Sequence, residues 1–209
     1  MKRQICGIAA PFPLIVLAPL ALSLLGCSVN RPFDITAVNN PSGLHLLDFQ
    51  HIRQKEPYDC GAGALAIVFT YWGKPAGAEE ILREIFADIP ATVGMTAADL
   101  KMCAEKRGFY AFLLKMSVTQ MLEQIDRGRP VIVCRKMLGG INHYEVIVGY
   151  DETIKRMILA DPAGVPYSIG YQRFAGRHKK VDDFALLVVP RGVENHSKGG
   201  TGKCQVSQK

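Results

Sequence analysis

The chain has 209 residues, 48% of them hydrophobic and 21% charged, a balance that excludes a disordered or fibrous protein and suffices to bury one sizeable core. Its formal charge of +6 is mild. The basic residues cluster in "RHKK" (177–180) and in the C-terminal tail, without interleaved aromatics, which argues against a nucleic-acid groove and for a solvated face.

At the N-terminus, Lys2 and Arg3 precede an uncharged apolar run that ends in Leu24-Leu25-Gly26-Cys27. The pattern is that of a secretion signal. Its last four residues resemble the bacterial lipoprotein signal, in which the cysteine receives lipid and becomes the mature N-terminus. An uncleaved membrane anchor is the alternative, since about 20 apolar residues can span a bilayer, but Pro11, Pro13 and Pro19 suit a processed signal better. Residues 1–26 are therefore expected as signal and Cys27 as the lipidation site. Ser28 after the cysteine points, by the same resemblance, to the outer membrane facing the periplasm. Without Lys2 and Arg3 the chain keeps 23 basic and 19 acidic residues.

Residues 27–43 are polar and turn-rich and read as a tether; the fold is expected to start at Leu44. "CGAGALAIVFTYWG" reads as a helix with no polar face, stopped by Gly73 and Pro75, and such a helix belongs in the middle of a domain. Ile81, Leu82, Ile85 and Ile89 repeat at helical spacing in the next segment. Thr96 with Asp99, and Ser117 with Gln120, have the capping-box spacing that opens a helix, and Gly108 and Gly128 close those two helices. Phe109 to Leu114 between them is strand-like.

The second half changes character. "PVIVCR", "HYEVIVGY", "RMILAD" and "FALLVVP" are short β-rich runs, with "DETIK" (151–155) as a hairpin turn. Helices first and strands second predict an α+β domain with a mainly antiparallel sheet. The domain is expected to span 44–190, followed by a disordered tail over 191–209.

Of six cysteines, Cys6 leaves with the signal and Cys27 carries lipid. Cys103 and Cys134 fall in helix-like and strand-like patterns and read as buried free thiols, with a disulfide between them as the alternative. Cys204 lies in the tail. No C-x-x-C pair occurs, so no metal site is expected. Cys60 stands apart, between an aspartate and a glycine at the start of the apolar helix, where the positive end of the helix dipole favours a thiolate.

A nucleophilic cysteine needs a base, a group to orient the base, and donors for the developing oxyanion. His143 opens a strand directly after the loop "MLGGIN", which places Asn142 beside it at the edge of a cleft. Asp161 ends the next strand. In a hairpin the start of one strand lies beside the end of its partner, so the carboxylate can hold one imidazole nitrogen while the other faces the thiol. Gln54, six residues before Cys60, offers an amide donor, and Gly61 leaves room for a substrate carbonyl. Singly, each residue has an ordinary structural use; their joint occurrence in this order does not.

"QKEPYDCGAGALAIVFTYWG", "GMTAADLKMCAEKRGFYAFLLKMSVTQMLEQIDRGRPVIVCR" and "HYEVIVGYDETIKRMILADPAG" together resemble the bacteriocin-processing cysteine peptidases, papain-like domains that cut leader peptides after a Gly-Gly pair. The resemblance spans about Leu44 to Pro190. It implies a papain-like fold with Cys60 as nucleophile, His143 as general base and acid, Asp161 as orienting carboxylate, Gln54 as oxyanion donor, and Gly61 and Asn142 at the substrate. No cofactor is implied. Exporter-borne members carry a transporter and an ATP-binding loop; this sequence has neither, so a stand-alone enzyme without ATP is expected, acting on an exported peptide or protein, Gly-rich if the family preference is kept. Two other readings stay open: a peptidoglycan stem-peptide hydrolase, whose relatives favour Asp-Cys-Ser-Gly and a second histidine, and a peptide-binding module that does not cut.

Overall fold

The computed structural model describes residues 30–33, 42–86, 94–137 and 140–192. The signal segment with Cys6 and Cys27, and also Ile89, Gly139, Cys204 and residues 193–209, lie outside them. Helix α1 (Cys60–Tyr71) runs through the centre, and every residue from Cys60 to Phe69 is buried. Seven of those ten are apolar side chains larger than glycine, which is why no side of the helix can face water. Its stop at Trp72 and Gly73 is where the sequence places it.

Two shorter helices pack beside it, α2 (Ala78–Ile85) and α3 (Ala97–Lys106). α2 ends at Ile85 and so stops short of the expected Ile89. α3 opens with the Thr96–Asp99 capping box, each side chain accepting from the other's backbone N–H. Helix α4 (Val118–Asp126) has the same device in Ser117 and Gln120. Both helices end at glycines with positive φ, Gly108 at +80° and Gly128 at +70°, a conformation that costs other residues about 1 kcal/mol or more.

The strands are β1 (Arg31–Pro32), β2 (Leu44–Leu46), β3 (Phe109–Lys115), β4 (Val131–Lys136), β5 (Asn142–Asp151), β6 (Arg156–Ala160), β7 (Tyr167–Gly170) and β8 (Phe184–Pro190). They form one sheet in the order β1-β7-β6-β5-β4-β8-β3, with β2 paired to the far end of β5. All of these pairings are antiparallel. The sheet thus takes in Arg31 and Pro32, from the stretch expected as a tether.

Side chains alternate across the sheet. One face, with Ile132, Val146, Val148, Ile158, Leu186 and Val188, packs on α1, α2 and α3. The opposite face, with Val131, Val133, Ile147, Leu159 and Ile169, packs on Met121 and Ile125 of α4 and Phe174 of α5 (Tyr171–His178). The sequence reading contains neither β7 nor α5. Phe174 and His178 are four apart, but no capping residue precedes them: the N-cap is Gly170. This also corrects the reading of "RHKK" as a solvated face. His178 is only 2% exposed and stacks on Phe174, while Lys179 and Lys180 face water.

Close approach of α1 to the turn after β6 requires a glycine. A Cβ at Gly63 would lie 2.8 Å from Cβ of Pro162, whereas one at Gly176 in α5 would meet nothing within 4 Å. The same substitution should therefore have opposite signs at the two sites. Gly176→Ala gains up to about 1 kcal/mol of helix propensity. Gly63→Ala gains this too but incurs an overpacking cost of about 1–3 kcal/mol, for a net loss. Urea midpoints of the two variants check this; stabilisation by Gly63→Ala would contradict the packing described.

Candidate active site

Cys60 is the first residue of α1, and Asp59 before it is the N-cap. The Asp59 side chain does not cap its own helix. Its Oδ2 accepts from Glu56 N–H at 3.1 Å, which shapes the approach loop, and the first turn contains no acidic residue. The helix thus presents Cys60 at its positive end, with the neighbouring Asp59 carboxylate turned to the approach loop.

His143 stands one residue inside β5, opposite Arg135 of β4. Its Nε2 meets Asp161 Oδ1 at 2.7 Å, and the Cys60 side chain is near enough to help raise the imidazole pKa, which leaves Nδ1 as the nitrogen on the thiol side. Asp161 directly follows β6. The carboxylate Oδ1 also accepts from Ala163 N–H at 2.8 Å, its carbonyl accepts from Gly164 N–H at 3.1 Å, and His51 Nε2 lies 2.9 Å from that carbonyl. Cys60, His143 and Asp161 thus lie together, and all three are buried, at 6%, 6% and 8% exposure.

Burial favours neutral forms of both ionisable partners, and here it is overcome. Against that desolvation, the hydrogen bond from His143 to Asp161 and the nearby Cys60 side chain, with the charges of Asp161 and Glu145, push the imidazole up to about 9. Asp161 is likewise opposed by burial, yet the hydrogen bond and charge of His143, the Ala163 N–H and Arg135 hold it below the ordinary carboxylate range. The pair is an imidazolium and a carboxylate at neutral pH.

Gln54 sits beside this line. Its backbone N–H donates to Pro162 O at 2.8 Å, and its side-chain Nε2 donates to Glu56 O at 2.8 Å. An amide nitrogen has two hydrogens, so one is left for another acceptor. Gly61 does something other than expected. A Cβ there would lie 3.1 Å from Met95, 3.2 Å from Leu100 and 3.4 Å from Tyr144, so the space beside it belongs to the core and not to a substrate. Its glycine lets α1 pack against β5 and the start of α3. Asn142 is exposed at the head of β5 and lines a cleft of about 630 Å³ that reaches Cys60. Met95, Cys134, Tyr144 and Phe184 give this cleft an apolar lining, with Lys136 and Lys180 also on its walls.

Cys103 and Cys134 are buried free thiols. Burial pushes both up to about 11.

The sequence reading misses the charges behind His143. Arg135 Nε lies 2.8 Å from Glu145 Oε1, and its Nη2 donates to Asp161 Oδ2 at 3.2 Å. Tyr167 donates to Glu145 Oε1 at 2.9 Å. Glu145 was legible as an oddity, a charge inside the apolar run "HYEVIVGY". Donor atoms of His143, Glu145 and Asp161 lie within 4.8 Å of one another, as in a cation site; the cation paired with both carboxylates is Arg135.

A thiol at a buried helix N-terminus, with a strand imidazole and carboxylate in line behind it, defines the papain-like cysteine peptidase fold. A family model for the Peptidase C39-like family matches residues 46–184, and the chain belongs to this family of cysteine peptidases. No curated protein matches the sequence. Solved structures do. The peptidase domain of Streptococcus ComA, a bifunctional ABC transporter of a quorum-sensing pathway, is 23% identical with a TM-score of 0.58, covering 68% of this chain and 98% of that one. A C39-like peptidase from Bacillus anthracis is 18% identical at a TM-score of 0.56, covering 71% and 98%. A double-glycine motif protease from an AMS/PCAT transporter, solved with its leader peptide, is 20% identical at a TM-score of 0.54, covering 69% and 94%. At these identities the likeness is one of fold.

The titrations of the pair set a pH window. His143 is raised from 6.5 to about 9 in the folded state, so its contribution is complete below about 6.5 and is lost as pH rises through about 9. Asp161 is depressed, so its contribution is present above its ordinary 3.8 and is lost as pH falls through its lower folded value. Unfolding free energy should therefore decline between pH 6.5 and 9.5, and His143→Gln should flatten that decline. An equal slope in the variant would contradict the assignment.

Proposed function

We propose that the protein is a thiol peptidase that cleaves a peptide bond in an exported protein, with Cys60 as nucleophile and His143 as its base and acid. The observation that carries this is the buried group at the start of the central helix, with Cys60 beside His143 and His143 Nε2 held by Asp161 Oδ1 at 2.7 Å. Cys60 Sγ attacks the scissile carbonyl as a thiolate, and His143 protonates the leaving amine. Water, deprotonated by His143, then hydrolyses the thioester and frees the thiol. Asp161 holds the imidazole by Nε2 throughout. The oxyanion is received by the Cys60 backbone N–H and the second hydrogen of Gln54 Nε2. The cleft lined by Asn142, Met95, Tyr144 and Phe184 receives the peptide.

A double-glycine motif protease of the same fold was solved with its leader peptide, so peptides with an internal Gly-Gly pair, to be cut after the second glycine, are the first substrates to try. The chemistry proposed here calls for neither nucleotide nor cofactor. We place the enzyme in the bacterial cell envelope, anchored by lipid on Cys27 and facing the periplasm from the outer membrane, on the strength of the N-terminal "LLGC". The mass of the protein extracted from membranes tests this: it should begin at a lipid-modified Cys27, and a species retaining residues 1–26 would refute the anchoring.

Catalysis is tested by alkylation and by cleavage. Iodoacetamide near pH 6 should modify Cys60 and spare Cys103 and Cys134, whose thiols are pushed up to about 11. Cleavage should vanish in Cys60→Ala and nearly vanish in His143→Ala. Gln54→Ala should lower turnover by ~10²- to 10³-fold. Asp161→Asn should be mildest, because an amide oxygen still accepts from the ring N–H. Equal labelling of the three cysteines would falsify the catalytic reading, and a folded Asp161→Asn as dead as Cys60→Ala would overturn the division of roles.

A further inference from the structure

We infer that Arg135 and Glu145 are positioning residues of this site: the guanidinium locks the second oxygen of Asp161, and Glu145 cancels its positive charge beside the imidazole. The inference rests on the catalytic assignment of Cys60, His143 and Asp161 above.

Sheet register brings the group together. Arg135 pairs with His143, Val133 with Glu145, Val146 with Ala160 and Leu159 with Tyr167. Directly opposed residues share a face and successive residues alternate. Arg135, His143, Glu145, Asp161 and Tyr167, drawn from three strands and the end of a fourth, therefore fall on a single face.

Their contacts divide the work. Asp161 Oδ1 serves His143 and Ala163 N–H, while Oδ2 serves Arg135. A carboxylate held by both oxygens cannot turn about its Cβ–Cγ bond, so the plane of the imidazole is fixed as well. Arg135 alone would bring an uncompensated positive charge next to an imidazolium. Glu145 removes that conflict: it is 1% exposed, forms an ion pair with Arg135, and accepts a hydrogen bond from Tyr167. An apolar residue would extend the face more cheaply, as Ile147 does two residues on, so what Glu145 adds is its charge.

The groups facing His143 are Cys60 from α1, Asp161 after β6, Glu145 from β5 and Arg135 from β4. Glu145 faces Arg135, Asp161, His143 and Tyr167. Burial pushes the Glu145 carboxyl up, and Arg135 opposes that.

Two variants of the full chain test the inference. In Glu145→Gln, the carboxylate that supports the imidazolium is gone while size and an acceptor remain. An NMR titration with ring-labelled histidine should find His143 near 9 in the wild type and lower by at least about half a pH unit in the variant, with His45 unmoved as control. Glu145→Asp should restore most of the difference.

The double variant Arg135→Met, Glu145→Met replaces a buried ion pair by apolar residues, an exchange that commonly preserves stability. It should fold yet lose about tenfold or more in the rate of Cys60 alkylation at pH 6, because Asp161 is no longer held. A folded double variant that alkylates at the wild-type rate overturns the inference, as does a Glu145→Gln protein whose His143 titrates unchanged. Failure of the catalytic reading looks different: wild-type Cys60 would then show no preference over Cys103 and Cys134, or would be indifferent to His143→Ala.

Discussion

A single carboxylate governs the arrangement of this molecule. Asp161 sits just beyond the last residue of β6, and its three oxygens are all engaged: the carboxylate by His143, Ala163 and Arg135, the carbonyl by Gly164 with His51 alongside. Such a group can be kept ionised away from water only while its partners stay in place. The neighbouring structure therefore has little freedom. The turn after β6 must carry Pro162 against α1, and Gly63 is the position where the helix makes room for it. Gln54 is tied to the same turn through Pro162 O.

The central helix supplies the other half of the constraint. Because α1 is buried along its first ten residues, it cannot roll to offer a different side chain to the histidine. Gly61 brings it against Met95, Leu100 and Tyr144, and Gly63 against Pro162. These two close contacts, both within three residues of Cys60, hold the start of the helix in place. The reactive end of the helix is held by core packing, and its electrostatics follow from that position: a positive dipole end, a first turn without acids, and an imidazolium in front of it.

The sheet is covered on both faces, by α1 to α3 on one and by α4 and α5 on the other. Tyr144 and Cys134 point to the first face and line the cleft, while His143, Glu145 and Arg135 fall on the second. The site is therefore built at the end of the sheet, where side chains of alternate parity meet around the strand termini. This is how one strand, β5, supplies both His143 and part of the cleft wall.

Much of this was determined by local sequence. The capping pairs Thr96–Asp99 and Ser117–Gln120, the stops at Gly108 and Gly128, and the unbroken apolar run after Cys60 each encode an element by interactions within a few residues. His143 and Asp161 could be placed side by side because hairpin geometry between β5 and β6 converts chain order into proximity, and Cys60 stood out by its position at the head of the apolar helix. Tertiary structure alone decided the rest. β7 and α5 have no capping side chain, and α5 is held by packing of Phe174 and His178. The space at Gly61 was filled by residues more than thirty positions away, which no local pattern announces. Arg135 reads in sequence as the polar end of a strand. It became the partner of Asp161 and Glu145 only when the register of β4 on β5 set it opposite His143, because the pairing of buried charges depends on which strand lies beside which and not on the residues next in the chain.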